Sequence, residues 1–172
     1  ADLDRSWNAG PFAEPVRRLL AGHLDVIAGW FHRFDELAEA VRRSGAGAVV
    51  THGEPHPGNL IRTRDGYALL DWDTVALAEP ERDLWMLDGA DGTARAAYQE
   101  LTGRALDPRA TALYALAWKL GDLASFTAAL RAPHERNLDT EKALTAVEQI
   151  LRGLEPAPYG ALPRAGQRRP LA

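Results

Sequence analysis

A single non-helical block, from Ala48 to Asp73, interrupts a chain in which most other segments have the spacing of amphipathic helices. At its start, the apolar run Ala48–Val50 predicts a short buried strand. Further on, Arg64-Asp65-Gly66 stands between two apolar runs, and an Asp-Gly pair in that position predicts a β-hairpin. The sequence therefore predicts a mainly α fold, of the α+β class, with one small β-hairpin.

Helical periodicity covers most of the remaining chain. Apolar residues between positions 12 and 43 recur every three or four residues, which predicts one long helix, or two helices with a break near Gly29. After the non-helical block, further helices are predicted: one led by Pro80, one over 93–101, one opened by Asp107 and Pro108 and stopped by Pro133, and one capped by Asp139 that runs to Leu151.

The composition narrows the class of protein. The 172 residues carry a net charge of -4 at pH 7, which gives no reason to expect nucleic acid or an anionic membrane as a partner. The absence of cysteine excludes disulfides, thiolate zinc sites and a cysteine nucleophile. No apolar stretch reaches the roughly 18 residues of a membrane span and no secretory leader is visible, so we expect a cytoplasmic protein. Residues 1–153 are expected to form one folded lobe, and the proline- and arginine-rich residues 154–172 a disordered tail.

The densest chemistry lies in the stretch THGEPHPGN, from Thr51 to Asn59, directly after the predicted strand. A hairpin returns the chain to the end where it started, so Asp71 should lie beside Asn59. Carboxylate and amide oxygens at one point suit Mg²⁺, which takes oxygen ligands and retains several waters. A second carboxylate nearby, that of Glu54, can accept or orient a hydroxyl proton. These are the parts that a kinase presents to its phosphoryl acceptor.

Three sequence motifs follow one another in order. They are HGEPHPGN from His52 to Asn59, LDWD from Leu70 to Asp73, and PERDL from Pro80 to Leu84. Together they resemble the motifs of the aminoglycoside phosphotransferase family, relatives of protein kinases that act on small molecules. The family pattern is roughly H-G-D-x-H-x-x-N, a hairpin, I-D-[WF]-[ED] and P-x-x-D-L. The close resemblance covers residues 48–88 and implies the helical C-terminal lobe of a protein-kinase-like fold, with the hairpin beside the catalytic loop.

The resemblance also implies roles for individual residues. Glu54 stands where the family has its catalytic aspartate, and Asn59 and Asp71 stand at the metal-ligand positions. Mg²⁺ and ATP (or GTP) are the implied cofactors. A hydroxyl group of a small molecule, such as an aminoglycoside or aminocyclitol, is the implied acceptor, with antibiotic resistance as the implied role. Glu54 departs from the family's aspartate, and its extra methylene moves the carboxylate by about 1.5 Å, a displacement that can impair catalysis. Because the neighbouring ligand positions are intact, we expect a working base on a longer arm.

Supporting roles follow from the same resemblance. His52 is expected to brace the catalytic loop, Asp83 to hold the loop backbone from the following helix, and Asp73 to face the acceptor or the outer shell of the metal. On the long helix that follows, a stripe that includes Trp118 and Asp122 is a candidate surface for a cationic, hydroxylated ring. The same stripe is equally compatible with an aromatic packing edge and an exposed acid.

One part of the family pattern is missing from this sequence. A kinase holds ATP with a glycine-rich strand hairpin and an upstream lysine. Here both lysines, Lys119 and Lys142, follow the catalytic loop, and the first 47 residues have helical spacing. We therefore expect the chain to be the C-terminal lobe of a longer phosphotransferase, without the N-terminal nucleotide-binding lobe, and to have little kinase activity alone.

Three other interpretations are open at this point. Residues 69–75, LLDWDTV, also fit the D-x-D strand end of haloacid-dehalogenase-like phosphatases, which need strands and helices alternating around a parallel sheet. On a strand, His52, Glu54 and His56 would face one side and could hold a transition metal. Finally, a glutamate at position 54 is compatible with a pseudokinase-like binding module that keeps the scaffold and lacks the chemistry.

Overall fold

The computed structural model describes residues 2–45, 47–87 and 92–153. Its helices are α1 (Ala13–Gly22), α2 (Leu24–Ser44), α3 (Glu81–Leu87), α4 (Thr93–Thr102), α5 (Pro108–Arg131) and α6 (Leu138–Arg152). Its strands are β1 (Val49–Thr51), β2 (Leu60–Thr63), β3 (Gly66–Leu69) and β4 (Ala76–Ala78), and short 3₁₀ turns occupy Pro57–Asn59 and Trp72–Thr74. The predicted mainly helical fold with a small β part is confirmed. The predicted tail, residues 154–172, lies outside the described residues.

The chain divides into two compact units. The helical unit comprises the described residues up to Ser44 and those from Ala112 onward, and the loop unit comprises those between Gly45 and Thr111. The helix α5 begins in the loop unit and continues into the helical unit. Within the described ranges, no helix combines the length and the apolarity that crossing a bilayer requires.

The helical unit is built around an apolar core. Val16 and Leu20 on α1 are buried, as is Val147 on α6, and these two helices pack against each other. Such positions lie on one face of each helix because they are spaced at three or four residues. The buried residues of this core are Trp7, Phe12, Ala13, Val16, Leu20, Leu123, Leu130, Ala143, Val147, Ile150 and Leu151. Burying one large aliphatic side chain contributes about 1.5–3 kcal/mol, so this cluster is the main stabilising feature of the unit.

The long helix predicted between positions 12 and 43 is interrupted at His23, and the predicted break near Gly29 is wrong. The His23 N–H donates to Leu20 O at 3.0 Å, and His23 Nδ1 lies 2.7 Å from Leu19 O. His23 thus satisfies carbonyl groups at the end of α1 that would otherwise lack a partner. Gly29 lies inside α2, where nothing approaches the position of a Cβ.

The N-terminus of α6 is capped by a different residue from the one predicted. Asn137, not Asp139, is the cap: its Oδ1 accepts from Thr140 N at 2.9 Å, and Thr140 Oγ1 accepts from Asn137 N at 3.0 Å. This reciprocal pair is a capping box. The predicted cap of α5 is present, since Asp107 Oδ1 accepts from Arg109 N at 2.8 Å.

Two antiparallel strand pairs form the β part of the loop unit. The strands β2 and β3 are the predicted hairpin, with Leu60 opposite Leu69. The strand β1 pairs with β4, which the sequence did not predict, and Thr51 lies opposite Ala76. The prediction that the first strand is buried is wrong: Ala48, Val49 and Val50 are all exposed, Val50 to 67%. The reason is that β1 belongs to a ribbon of only two strands.

Glu81 fixes the start of α3 to the segment that precedes α5. Its side chain is 1% exposed, and its Oε1 accepts a hydrogen bond from the Asp107 N–H at 2.6 Å. Its Oε2 is buried and has no hydrogen-bond partner within the described part of the chain. This anchoring matters because the next two residues contact the end of β1 and the loop after it: Arg82 bonds to Thr51, and Asp83 bonds to His52.

Candidate active site

Asp83, in the first turn of α3, holds the backbone that leads to Glu54. Its Oδ2 accepts from the His52 N–H and its Oδ1 from the Gly53 N–H, both at 2.7 Å. Hydrogen bonds to a charged acceptor are the stronger kind, so one carboxylate fixes two successive peptide groups. Gly53 has a φ of +99°, which favours glycine, and a Cβ there would lie 2.6 Å from Thr74 Oγ1. Both the backbone angle and the available space therefore require the glycine of this motif.

His52 is enclosed at the start of the loop, with a side chain that is 2% exposed. Its Nε2 lies 2.6 Å from Leu70 O, and its Nδ1 lies 3.1 Å from the Glu54 nitrogen. A carbonyl only accepts and a peptide N–H only donates, so the ring carries a hydrogen on Nε2 and accepts at Nδ1. The ring also meets Trp72 edge-on, with centroids 4.7 Å apart. His52 therefore ties the loop to the end of the hairpin, and both of its nitrogens are used.

The hairpin brings Asn59 and Asp71 to the same end. The Leu70 N–H donates to Asn59 O at 2.8 Å, which extends the pairing of β2 with β3 by one step. Asp71 is the next residue along. The side-chain amide of Asn59 donates to Glu54 O at 2.9 Å, which engages its nitrogen and leaves Oδ1 as the atom able to bind a cation.

Asp71 has a backbone conformation that is rare outside glycine. Its φ of 63° and ψ of 64° are left-handed, and among the described residues it is the only non-glycine with positive φ. That conformation costs on the order of 1 kcal/mol for an ordinary residue. Such outliers cluster at active sites and ligand-binding sites. The turn Trp72–Thr74 follows at once and carries Asp73, whose side chain is exposed.

Glu54 presents a partly exposed carboxylate from the same loop. Its Oε2 lies 4.0 Å from His56 Nε2, while His56 Nδ1 accepts from the Gly58 N–H at 3.1 Å. Pro55, between these two side chains, is buried and fixes one backbone angle. The loop thus directs the imidazole of His56 towards Glu54 and leaves the carboxylate accessible to a ligand.

The donor atoms suit an oxygen-binding cation better than a transition metal. In the described ranges, no group of three or more His, Cys, Asp and Glu side chains could hold a metal ion. The alternative site of His52, Glu54 and His56 is not formed, because residues 52–56 are not a strand and His52 has no spare nitrogen. Oxygens of Asn59 and Asp71 fit Mg²⁺, which needs few protein ligands because it keeps several waters.

The phosphatase interpretation of residues 69–75 does not agree with the described strands. Both strand pairs in the described ranges are antiparallel, and Asp71 follows a hairpin. A phosphatase of that class places its nucleophile at the end of a strand in a parallel sheet flanked by helices.

The predicted acceptor stripe belongs to the helical unit. Trp118 and Asp122 are half-buried on α5, and both take part in interactions. The other predicted site residues belong to the loop unit. A role for Trp118, Asp122 or Asp73 in binding the acceptor stays a prediction.

Three further residues of the site were not predicted from the sequence. Arg82 donates from Nη1 to Thr51 Oγ1 and from Nη2 to Thr74 O, both at 2.8 Å. Thr74 Oγ1 in turn donates to His52 O at 2.6 Å. Each of the three stands next to a motif residue, and that adjacency is the signal the sequence offered. Spacing does not show where a guanidinium group points.

Known proteins are similar to this chain in sequence, and others are similar in fold. The model of the phosphotransferase enzyme family, APH, matches residues 4–114. Protein StrN of Streptomyces griseus is 30% identical over 171 residues, which cover 93% of this chain and 49% of StrN.

Two crystal structures of spectinomycin phosphotransferase, APH(9)-Ia, have a similar fold. The complex with ADP and spectinomycin superposes with a TM-score of 0.62 at 15% identity, covering 88% of this chain and 50% of that one. The AMP-bound complex gives 0.56 at 16% identity, with 82% and 48% covered. The chain spans about half the length of the relatives it matches. Because the family model matches residues 4–114, more than half of the 172-residue chain, the chain belongs to the phosphotransferase enzyme family. This is the aminoglycoside phosphotransferase family that its motifs predict.

Proposed function

We propose that this chain carries the catalytic and metal-binding loops of an ATP- and Mg²⁺-dependent enzyme that phosphorylates a hydroxyl group of a small molecule. Family membership supports small-molecule phosphoryl transfer in general. The observation that best supports the finer proposal is the hydrogen bonding of Asn59. Its side-chain NH₂ group donates to Glu54 O, and its backbone carbonyl accepts from the N–H of Leu70, the neighbour of Asp71. One residue thus links the proposed base to the proposed metal ligand. Phosphoryl transfer relies mainly on such positioning and on charge neutralisation.

Each polar residue has a specific task in this proposal. Glu54 accepts or orients the proton of the acceptor hydroxyl. Asn59 Oδ1 and the Asp71 carboxylate hold Mg²⁺, which when bound neutralises charge on the nucleotide phosphates. His52 and Asp83 touch neither substrate nor metal, and act by fixing the loop backbone from which Glu54 projects.

The proposed acceptor is a hydroxylated, amine-bearing small molecule of the aminoglycoside or aminocyclitol type. One structural relative is a spectinomycin phosphotransferase in complex with ADP and spectinomycin. On this chain, Trp118 offers an aromatic face, and Asp122 offers a carboxylate one helical turn further on, a combination suited to a cationic ring. ATP and GTP are both proposed as donors to be tested.

We further propose that turnover depends on a nucleotide-clamping segment that this chain does not supply. The matched relatives are about twice as long as the chain. Its two lysines, Lys119 and Lys142, both follow the catalytic loop, whereas kinases hold the phosphates with a lysine that precedes that loop. The chain alone is expected to show negligible phosphoryl transfer. Robust ATP-dependent phosphorylation by the chain alone would refute this dependence.

Acceptor-dependent release of the nucleoside diphosphate, ADP from ATP or GDP from GTP, tests the function. The assay compares aminoglycosides and aminocyclitols with MgATP and MgGTP, on the chain joined to its nucleotide-clamping segment. Glu54→Ala is expected to lower turnover by about 100-fold or more, because a positioned base is typically worth that much. Acceptor binding, measured by calorimetry, should be retained in Glu54→Ala. Asp65→Asn, at the exposed hairpin turn, is the matched control; near-normal turnover of Glu54→Ala removes Glu54 from the base role.

A pseudokinase-like binding module is the second candidate, and the glutamate at position 54 is the observation that favours it. In that case nucleotide or acceptor binds and no acceptor stimulates ADP release. Glu54→Asp, which restores the family's residue, separates the two candidates. A wild type that is inactive and gains turnover in Glu54→Asp is a binding module, whereas an active wild type is an enzyme with a longer base.

A further inference from the structure

We propose that Arg82 is a positioning residue that sets the separation between the loop carrying Glu54 and the turn that follows Asp71. What these two segments do rests on the proposed function. Their connection through Arg82 rests on contacts within the loop unit alone. Arg82 lies in the first turn of α3, next to Asp83.

The guanidinium of Arg82 connects the last residue of β1, where the loop starts, to the turn after Asp71. Its Nη1 donates to Thr51 Oγ1, on the residue before His52, and its Nη2 donates to Thr74 O, at the end of the turn after Asp71, both at 2.8 Å. A guanidinium group is planar and its N–H groups have fixed directions. Two bonds from one such group therefore fix the distance between the two oxygens that accept them.

The acceptors are themselves held by other bonds. Thr51 is 1% exposed, and its hydroxyl donates to Ala76 O at 2.9 Å while it accepts from Arg82. Thr74 Oγ1 donates to His52 O at 2.6 Å, which ties the turn directly to the loop. Movement at one end of this network is consequently transmitted to the other, with Arg82 as the member that touches both threonines.

The guanidinium also packs directly against the loop backbone. A Cβ on Gly53 would lie 2.7 Å from Arg82 Cζ, so any side chain at that position would displace the arginine. Asp83, the next residue of the same helix, accepts a hydrogen bond from the Gly53 N–H at 2.7 Å through its Oδ1. Two adjacent side chains of one helix turn thus hold the loop: Asp83 accepts hydrogen bonds from the N–H groups of the loop, and Arg82 packs against the loop backbone and donates to the hydroxyl of Thr51.

Arg82→Lys separates this geometric role from a role of charge alone. Lysine keeps the positive charge and has one nitrogen at the end of a flexible chain, so it cannot reach both oxygens in the same fixed geometry. Arg104→Lys is the matched control in the same unit. Arg104 is bonded through Nη1 to Gly47 O at 2.7 Å, a single bond that a lysine can replace.

The test uses the full chain and two readouts that do not require turnover. In Arg82→Lys, amide hydrogen exchange is expected to become faster at His52, Gly53 and Val75 and to stay unchanged in α6. Titration with Mn²⁺, as a probe for the Mg²⁺ site, is expected to show a dissociation constant raised about tenfold, as is typical when a supporting residue around a metal site is lost. Arg104→Lys is expected to change neither readout.

Thr51→Val provides a second variant, because it removes one acceptor and leaves the arginine in place. In the double variant, the Mn²⁺ dissociation constant should rise by less than the product of the two single-variant factors, because Thr51→Val and Arg82→Lys disrupt the same hydrogen bond. If Arg82→Lys does not fold, Thr51→Val alone must still speed exchange at His52 and Gly53, and wild-type exchange there overturns the inference.

The outcomes for Arg82 and for the proposed function can be told apart. If the wild type binds Mn²⁺, Asp71→Asn abolishes binding, and Arg82→Lys matches the wild type in both readouts, the role of Arg82 is overturned and the metal site stands. If the wild type binds no Mn²⁺ and Arg82→Lys still opens both segments, Arg82 positions them and the proposed function fails. Exchange that speeds up equally in α6 and in the loop overturns the inference, because Arg82 is then a general stabilising residue.

Discussion

The helical unit and the loop unit are stabilised by different interactions. Apart from prolines, every buried apolar side chain in the described ranges except Ala110 belongs to the helical unit, while the buried polar side chains, Thr51, His52 and Glu81, all belong to the loop unit. Burial of apolar surface is non-directional, so a helical core accepts small shifts of its members. Hydrogen bonds weaken steeply with misalignment, so each polar member of the loop unit requires a particular partner in a particular place.

This difference predicts where substitutions act. In the helical unit, the cost of a substitution should follow the volume removed and should appear as global stability. In the loop unit, the same free energy should appear as displaced loops and lost ligand affinity, because few apolar contacts are there to hold the backbone once a hydrogen bond is removed.

The largest loss of stability is expected in the helical unit. Leu130 on α5 is fully buried, and Leu130→Ala should lower the free energy of unfolding by about 2–5 kcal/mol through lost burial and a residual cavity. Denaturant unfolding followed by circular dichroism measures this. Leu138→Ala, at a position that is 65% exposed, is the control and should change stability by less than about 0.5 kcal/mol. Equal effects of the two substitutions would contradict the burial-based description of this unit.

A smaller loss of stability, with a local opening of the loop, is expected at Asp83. Asp83→Asn leaves one of the N–H groups of His52 and Gly53 facing an amide nitrogen, which should cost about 1–3 kcal/mol. Hydrogen exchange at those two amides should become much faster than exchange in the core of the helical unit. Asp65→Asn, at the exposed hairpin turn, should leave both unchanged. Uniform exchange throughout the chain would show that the loop unit does not respond locally.

The cap of α6 should contribute less to the free energy of unfolding than Leu130 or Asp83. Asn137→Ala removes the bond from the Thr140 N–H to the Asn137 side chain and keeps the backbone N–H that donates to Thr140 Oγ1, and it should lower the free energy of unfolding by about 1 kcal/mol. Asp139→Ala tests the rejected cap and should cost clearly less, because Asp139 lies in the first turn, where an acidic side chain interacts favourably with the helix dipole, and is not the cap. A larger cost for Asp139→Ala would restore the cap predicted from the sequence.

The smallest expected effect is a dependence on pH in the helical unit. The hydrogen bonds from Arg17, with further ones from Arg18 and the Trp7 N–H, lower the pKa of Glu14 from 4.5 to about 2. A carboxyl whose folded pKa is depressed contributes stability that is fully present above about 4.5 and is lost as the pH falls towards about 2. Acid titration of unfolding should therefore show a shallower slope in that window for Glu14→Gln. Identical slopes for the two proteins would contradict the depressed pKa.

The parts that could be predicted from the sequence are those set by local spacing. The hairpin follows from Asp65 and Gly66 between two apolar runs, and the start of α5 from Asp107 before Pro108. The break at His23 could not be read in this way, because it depends on one side chain that satisfies the carbonyl of Leu19 and leaves the apolar periodicity intact.

Long-range pairing explains the other differences from the sequence predictions. The strand β4 is three residues long and is stabilised by β1, which precedes it by some 25 positions, so its own residues carry little signal. The motifs predicted that Asn59 and Asp71 meet, because a hairpin joins them. They gave no indication that Arg82 reaches Thr51 and Thr74, since a long side chain can point in many directions from one helical position.

Paramagnetic broadening by Mn²⁺ in the nuclear magnetic resonance spectrum of the full chain tests most directly whether Asn59 and Asp71 share a cation. The side-chain amide of Asn59 and the backbone amide of Asp71 should broaden at substoichiometric Mn²⁺, before Gly66 at the far end of the hairpin, and Asp71→Asn should abolish the effect. Broadening that is absent, that begins elsewhere in the loop unit or that persists in Asp71→Asn would contradict a metal site at this end of the hairpin.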